Sequence, residues 1–333
     1  MTIKELAKLA GVSPATVSLA LNGKKGVGEE KRLEILRLAN ENQYSYARKT
    51  TSKSRNVLFI KYSRLGLIVG DNMSFITTVM DAAEKECQRL GYNLIVMNWT
   101  GDLQEAFRSI DYQTFFGVLI LGTEISEEDY PSLDLLPLPY IIIDNSMPHF
   151  YCNCVSIDNR ENAFRAVSWF LEQGYTKIGY VKGGQAIQNF TEREEGYRSA
   201  LLEHGIAIDP GIIHTVPPTT LGAYETMLRM LASKKRPPEC LFVDNDSMAI
   251  GLVKALLESG LHIPEDVSII AFDDIPFAEI LSPTLSTVRV DTRLLGTIAV
   301  SLLEKTVEDD HYQTVKTTVA GELILRQTTK NNS

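Results

Sequence analysis

Residues 2–22 read TIKELAKLAGVSPATVSLALN. Thr2 stands three residues before Glu5, the spacing of a capping box in which hydroxyl and carboxylate serve each other's backbone N–H groups. Ile3, Leu6, Ala7 and Ala10 fall at i, i+3, i+4 and i+7, one face of a helix. Gly11 is the residue type that ends a helix in the left-handed conformation. Ser13 is a second N-cap, and Pro14 takes the first helical position, where its missing N–H costs nothing. Val17, Ala20 and Leu21 give the second helix its apolar face. Two short helices joined through Gly11 and Val12 have helix-turn-helix geometry, in which the second helix offers its N-terminal residues to a major groove.

An ordinary pair of antiparallel helices would share this spacing, so the surrounding chemistry decides. Ser13, Thr16, Ser18 and Asn22 are small hydrogen-bonding side chains of the kind that seat a helix on phosphates. Charge also segregates. Residues 1–55 hold eleven Lys and Arg against five Asp and Glu, leaving 22 against 37 for the rest, within a net charge of −9. A basic head on an acidic chain suits a DNA reader attached to a domain with another task.

The stretch TIKELAKLAGVSPATVSLALNG resembles the DNA-binding head of the lactose-repressor (LacI/GalR) family of bacterial transcription regulators, and the similarity continues through the C-terminal region. It implies a sequence-specific, dimeric DNA-binding repressor of carbohydrate-utilisation genes, controlled by a small sugar-like effector bound between two core subdomains. A two-fold dimer reads a pseudo-palindromic operator in double-stranded DNA. The DNA-contacting positions carried over are Ser13, Pro14, Ala15, Thr16, Ser18, Leu19, Asn22, Tyr44 and Arg48. Pro14, Ala15 and Leu19 occupy the base-reading positions and make no bidentate base contact. Ala15 and Leu19 can touch a thymine methyl, so part of the operator is expected to be read by apolar contact and shape.

The 333 residues suggest more than one domain. No run of about 18 apolar residues is present, so no membrane span is expected. The N-terminus reads as a helical motif, not a signal peptide, which places the protein in the cytoplasm. Cys87, Cys152, Cys154 and Cys240 are scattered, with no second pair to complete a zinc site, and read as reduced thiols. The five histidines have no metal-ligand spacing. Neither a metal nor a cofactor is expected.

Residues 1–42 form the head, with a third helix from Glu29 to about Asn42, and 43–56 form a polar, basic linker. In the family this linker becomes a hinge helix whose leucine wedges into the minor groove. Here the spacing from Tyr44 to Ala47 and Arg48 is about three residues short, and Thr50 stands at the wedge position. Such apolar wedges unstack a base step and bend DNA. Their absence predicts weaker bending, with Arg48, Lys49, Lys53 and Arg55 left to bind a narrow minor groove electrostatically.

From Val57 short apolar runs alternate with helical stretches: VLFI (57–60), YNLIVMN (92–98), FFGVLILG (115–122), YIIID (140–144), VSIDN (155–159), KIGYV (177–181), CLFVD (240–244), SIIAF (268–272) and TTVAGELIL (317–325). Strands of this kind separated by helices build βαβ units and parallel sheets. The fold class is therefore a small all-α head plus an α/β core, 57–333, of two doubly wound parallel-sheet subdomains, like periplasmic binding proteins. The first is expected at about 57–158 plus 285–315, the second at about 159–284 plus 316–328.

Such folds bind ligands beyond the carboxyl ends of their strands. Asp144 closes YIIID, Asn245 follows CLFVD, Asp273 closes the run SIIAF, and Arg193 opens a helix in NFTEREEGY. The family resemblance assigns Arg193, Asn245 and Asp273 to the effector. Carboxylate, amide and guanidinium groups suit the adjacent hydroxyls of a carbohydrate. Phe75 and Phe190 could cover a sugar's apolar face. The segment before Phe75 is about seven residues longer than the family norm, and Lys61, Tyr62, Arg64 and Asp71 are assigned to this extra loop. Inward-pointing Lys61 or Arg64 would suit an anionic ligand such as a sugar phosphate.

The alternatives are control by a protein co-regulator, a sugar phosphate or a nucleoside, or a carbohydrate-binding receptor or enzyme on the same fold. A receptor needs an export signal. An enzyme needs a nucleophile–base or metal set, and no G-x-S-x-G, P-loop, H-E-x-x-H or G-x-G-x-x-G is present. After Leu325 only eight residues remain, without the heptads of a tetramerising helix, so a homodimer is expected.

Overall fold

The computed structural model describes residues 2–21, 26–42, 44, 55–66, 73–233, 236–309 and 313–330. The chain divides into two compact units. The first comprises Met1–Gly66, Thr78–Ser156 and Arg293–Thr318, and the second Leu67–Thr77, Ile157–Thr292 and Val319–Ser333.

The head lies in the first unit and consists of α1 (Ile3–Leu9), α2 (Pro14–Leu21) and α3 (Glu29–Glu41). Leu6, Ala7, Ala10, Val17, Ala20 and Leu21 are buried against Ile35, Leu36 and Ala39. Leu33 on α3 is only half-buried.

After the head come β1 (Asn56–Ser63), α4 (Met73–Leu90, of which Met73–Thr77 falls in the second unit), β2 (Asn93–Thr100), α5 (Leu103–Ser109), β3 (Gly117–Leu121), α6 (Tyr130–Leu133), β4 (Tyr140–Ile143) and β5 (Cys154–Ile157). The second unit follows with α7 (Asn159–Glu172), β6 (Ile178–Gly183), α8 (Gln188–Glu203), β7 (Ile213–Val216), α9 (Thr220–Ala232), β8 (Cys240–Val243), α10 (Asp246–Glu258), β9 (Ser268–Asp273), α11 (Pro276–Ile280) and β10 (Ser286–Val290). Then come α12 (Thr292–Glu308), β11 (Lys316–Val319) and β12 (Gly321–Ile324).

The first sheet runs β11-β5-β4-β3-β1-β2 and the second β12-β10-β9-β8-β6-β7. Both repeat one doubly wound order, with a late strand added at the edge. The pairs from β1 to β5 and from β6 to β10 are parallel, while β12 joins β10 antiparallel. Strand order reverses between β1 and β3, and again between β6 and β8. A crevice opens at the carboxyl ends of the strands at such a reversal. The central strands are buried on both faces, as GVLIL in β3 and CLFV in β8 show, the pattern of a sheet covered by helices.

Three expectations are corrected. Ser286–Val290 is a strand of the second sheet, so the second unit extends past the boundary at 285. Its polar residues hid it: Thr287 is buried by donating to Asp246 Oδ1 (2.6 Å), and Ser286 Oγ pairs with Thr329 Oγ1 (2.9 Å). Residues 317–325 are not one strand. Lys316–Val319 lies in the first sheet and Gly321–Ile324 in the second, with Ala320 between them. Gly321 permits this exchange, because a Cβ there would sit 2.8 Å from Val288 and 3.0 Å from the Arg289 carbonyl.

Lys61 and Tyr62 extend β1 and do not lie in a loop. Lys61 is in register with Asn98 and Leu121, and Tyr62 is fully buried in the first unit's core with its hydroxyl 3.4 Å from Asp129. The chain then turns over the buried Glu124 carboxylate, which accepts from the N–H groups of Arg64 and Leu65. Arg64 faces Glu128 and Asp129. Asp71 lies outside the described residues.

Candidate functional site

The two ends of the capping box close as the spacing requires. Thr2 N–H donates to Glu5 Oε2 (2.7 Å) and Glu5 N–H to Thr2 Oγ1 (3.3 Å). Gly11 takes φ +64°, the left-handed value that costs most other residues strain. Ser13 Oγ accepts from Thr16 N–H (3.1 Å) and pairs with Thr16 Oγ1 (2.9 Å), fixing the first turn of α2. Ser13, Pro14 and Ala15 are exposed, and Thr16, Ser18 and Leu19 are half-buried, while Val17, Ala20 and Leu21 hold the turn onto the head's core. An outward-facing, capped first turn can enter a major groove without refolding. Tyr44 packs against the head's apolar cluster, and burial raises its phenol pKa. Asn22 and Arg48, with the linker's Ala47, Lys49, Thr50 and Lys53, lie outside the described residues.

In the second unit Arg193 is the centre. It is buried on α8, and its Nε donates to Asn159 Oδ1 (2.9 Å), its Nη2 to Asp273 Oδ1 (3.2 Å) and its Nη1 to the Asp244 carbonyl. Phe272 lies beneath the guanidinium at 3.7 Å and Phe190 beside it at 6.0 Å. Gly183 lets Phe190 in, since a Cβ there would sit 2.2 Å from the ring. Of the five N–H groups of a guanidinium, three have acceptors among the described residues.

Burial pushes the Asp273 carboxyl up to about 6 against the opposing pull of Arg193. Burial likewise raises Asp244 to about 7, opposed by hydrogen bonds from the Tyr180 hydroxyl and the Gly183 N–H. Asp246 is raised well above its ordinary value, by burial and then by the charge of Asp273. Asn245 is buried and caps α10, its Oδ1 accepting from Met248 N–H (2.8 Å). Half of its amide is thus committed to the helix.

In the first unit Asp144 accepts from Thr123 Oγ1 (2.6 Å), and its neighbour Asn145 ties the loop down through the Gly122 and Ile125 carbonyls. Asp144, Met147, His149, Asp273 and Asp274 are the non-glycine residues with positive φ among the described ones. All five follow β4 or end β9, on the carboxyl side of the strands. Such strain persists where the surrounding structure enforces it, and it clusters at binding sites. Phe75, within the second unit's segment Leu67–Thr77, is half-buried in the first turn of α4.

The second unit therefore gathers Phe190, Arg193 and Asp273 around one guanidinium, with Asn245 next to the Asp244 carbonyl that holds it. Asp144 belongs to the first unit. Sequence reasoning missed Asn159, Phe272 and Asp244. Their only signal was position: Asn159 and Asp244 follow buried strands, as the candidates did. No helix among the described residues is long and apolar enough to cross a membrane, and no three His, Cys, Asp or Glu among them could hold a metal ion. The four cysteines are buried free thiols.

Residues 2–46 match the bacterial regulatory proteins, lacI family, and residues 167–329 the periplasmic binding protein-like domain. The chain is 30% identical over 340 residues to the HTH-type transcriptional repressor PurR of Vibrio atlanticus (strain LGP32), covering 99% of this chain and 98% of that protein. The chain belongs to the LacI family. It is a helix-turn-helix, DNA-binding transcriptional repressor. The LacI-family fold extends over the whole chain. The transcriptional regulator CelR in complex with cellobiose aligns with TM-score 0.74 at 23% identity, covering 98% of this chain and 99% of that one. The Lac repressor dimer bound to operator and the anti-inducer ONPF aligns with TM-score 0.73 at 20% identity, covering 99% of each chain.

Proposed function

We propose that this repressor is a cytoplasmic homodimer that reads a pseudo-palindromic operator with the first turn of α2 and is controlled by a sugar or sugar derivative. The effector is held on the second unit, at the strand ends, by Arg193, Asp273, Asn245 and Phe190. One observation carries this reading: two N–H groups of the buried Arg193 and one oxygen of Asp273 have no partner among the described residues. A donor pair beside an acceptor, with an aromatic ring adjacent, is the set that binds neighbouring hydroxyls. CelR, whose structure holds cellobiose, supports the ligand class. Effector and operator are linked reciprocally, each altering the affinity for the other by one common factor.

A thermal-shift panel of sugars, sugar phosphates and nucleosides tests the reading, because a ligand of the folded state raises Tm by mass action. The expected result is a sugar that raises Tm and loses its effect in Arg193→Ala and Asp273→Asn. A nucleoside or sugar phosphate that alone does so replaces the sugar. A panel without a ligand, with operator binding intact, points to a protein co-regulator.

The homodimer draws support from exposed apolar side chains. Ile95 and Val96 are exposed on the edge strand β2, and Leu221, Phe277 and Ile280 on the second unit. The Lac repressor neighbour is a dimer on its operator.

A further inference from the structure

We propose that the first unit carries a docking surface for its own DNA-binding head, and that docking holds the head ready to read the operator. Glu29, the first residue of α3, accepts from Arg108 Nη2 of α5 at 2.7 Å. Leu135, just past α6, packs against the head's apolar cluster. Between the two contacts lies a cavity of about 440 Å³. Leu21, Val27 and Leu36 line it from the head, and Phe107, Leu136 and Pro137 from the opposite wall.

These features describe a weak latch. Glu29 and Arg108 are both more than half exposed, so their pair contributes no more than about fivefold to an equilibrium constant. Where the cavity lies, the two walls do not make the close contacts of a tight interface. The latch is thus strong enough to bias the head and weak enough to release it.

Docking also leaves the reading edge free. Ser13, Pro14 and Ala15 are exposed, and the residues lining the seam come from the other side of α2, from the loop after it and from α3. A docked head therefore binds DNA without undocking. Docking removes orientational freedom that DNA would otherwise have to remove, and such preorganisation raises affinity. The occupant of this surface is the head of the same chain. The ion pair and the Leu135 contact both join residues of one chain, linked through residues 43–56.

The test uses the full chain and an operator duplex selected by the wild-type protein, read by fluorescence polarisation. Arg108→Glu removes two units of positive charge, and Glu29→Arg adds two. If charge acted only through the overall attraction to DNA, the two variants would shift affinity in opposite directions. Docking predicts that both weaken operator binding, by about threefold to fivefold, and that the double variant returns to within about twofold of wild type. Leu135→Ala weakens binding likewise. Both charged side chains are exposed, so an unchanged Tm verifies that each variant is folded. Opposite shifts, or no shift in either single variant, would overturn the proposal. So would recovery on mixing the two single variants, since that assigns the surface to the head of a second copy.

Discussion

The guanidinium carbon of Arg193 lies 3.7 Å from the centre of the Phe272 ring, while its Nη2 reaches the Asp273 carboxylate, the next residue along β9. One strand end thus supplies both an apolar bed and a counter-charge, and the two act differently when the arginine is removed.

Arg193→Ala leaves a buried carboxylate without its cation, which costs about 3 kcal/mol or more. Adding Asp273→Asn removes the uncompensated charge. Urea denaturation is expected to show at least half of the loss recovered in the double variant. No recovery would assign the loss to packing on Phe272 and Asn159.

Two of the three raised carboxyls, Asp273 and Asp244, set a pH dependence over a defined window. Asp273 titrates at about 6 and Asp244 at about 7 in the folded chain, against about 3.9 when unfolded. Between about pH 4 and those values the folded state holds protons that the unfolded state has released. Stability from these groups is therefore greatest at low pH, falls as pH rises through that window and levels off above it. The slope is about 1.4 kcal/mol per pH unit for each group inside its window. Asp244→Asn and Asp273→Asn should each flatten the stability profile between pH 4.5 and 7. An unchanged slope in both would place the titration elsewhere. An effector that donates to ionised Asp273 should bind more weakly as pH falls through about 6.

Gly196 is where α7 and α8 come close. A Cβ there would sit 2.2 Å from the Arg160 carbonyl and 2.8 Å from Ala163 Cβ. Backbone cannot yield as a flexible side chain does, so Gly196→Ala is expected to cost at least about 2 kcal/mol. It should also weaken effector binding at the site proposed above, because α8 carries Arg193. Chemical denaturation and calorimetry would show both, and a neutral Gly196→Ala would mean that the two helices can move apart freely.

The exposed apolar side chains predict where the proposed homodimer is vulnerable. Ile280 is 73% exposed on α11, and Ile95 is 42% exposed on the edge strand β2. Ile280→Asp and Ile95→Asp should each shift the protein toward monomer in light scattering at micromolar concentration while leaving the fold intact by circular dichroism. Because a two-fold site needs two heads, operator affinity should fall with dimerisation. A dimer unaffected by both substitutions would exclude these faces.

The head was legible because its signals are local. Thr2 with Glu5, Gly11 at a positive φ and Ser13 before Pro14 act within four residues of themselves, and the structure closes each contact at its expected spacing. The central strands were legible because burial on both faces demands unbroken apolar runs such as those of β3 and β8. Strand β10 was hidden because Ser286 and Thr287 are buried by hydrogen bonds that no local pattern announces. Tyr62 read as a loop residue because its hydroxyl suggests a surface, whereas its ring fills the core.

Composition, periodicity and caps thus determined by themselves a helix-turn-helix head, a two-sheet α/β core and the strand-end position of Asp273. These follow from backbone and burial rules that act along the chain. The company Arg193 keeps was decided only by the tertiary structure. Asn159, Asp244, Phe272 and Asp273 are 34 to 80 residues from it, and they meet it because parallel strands bring their carboxyl ends to one edge. The seating of Glu29 on Arg108, 79 residues apart, is decided in the same way. A surface ion pair is too weak to leave a mark in the sequence, and it forms only because the folds on either side have already brought its partners together.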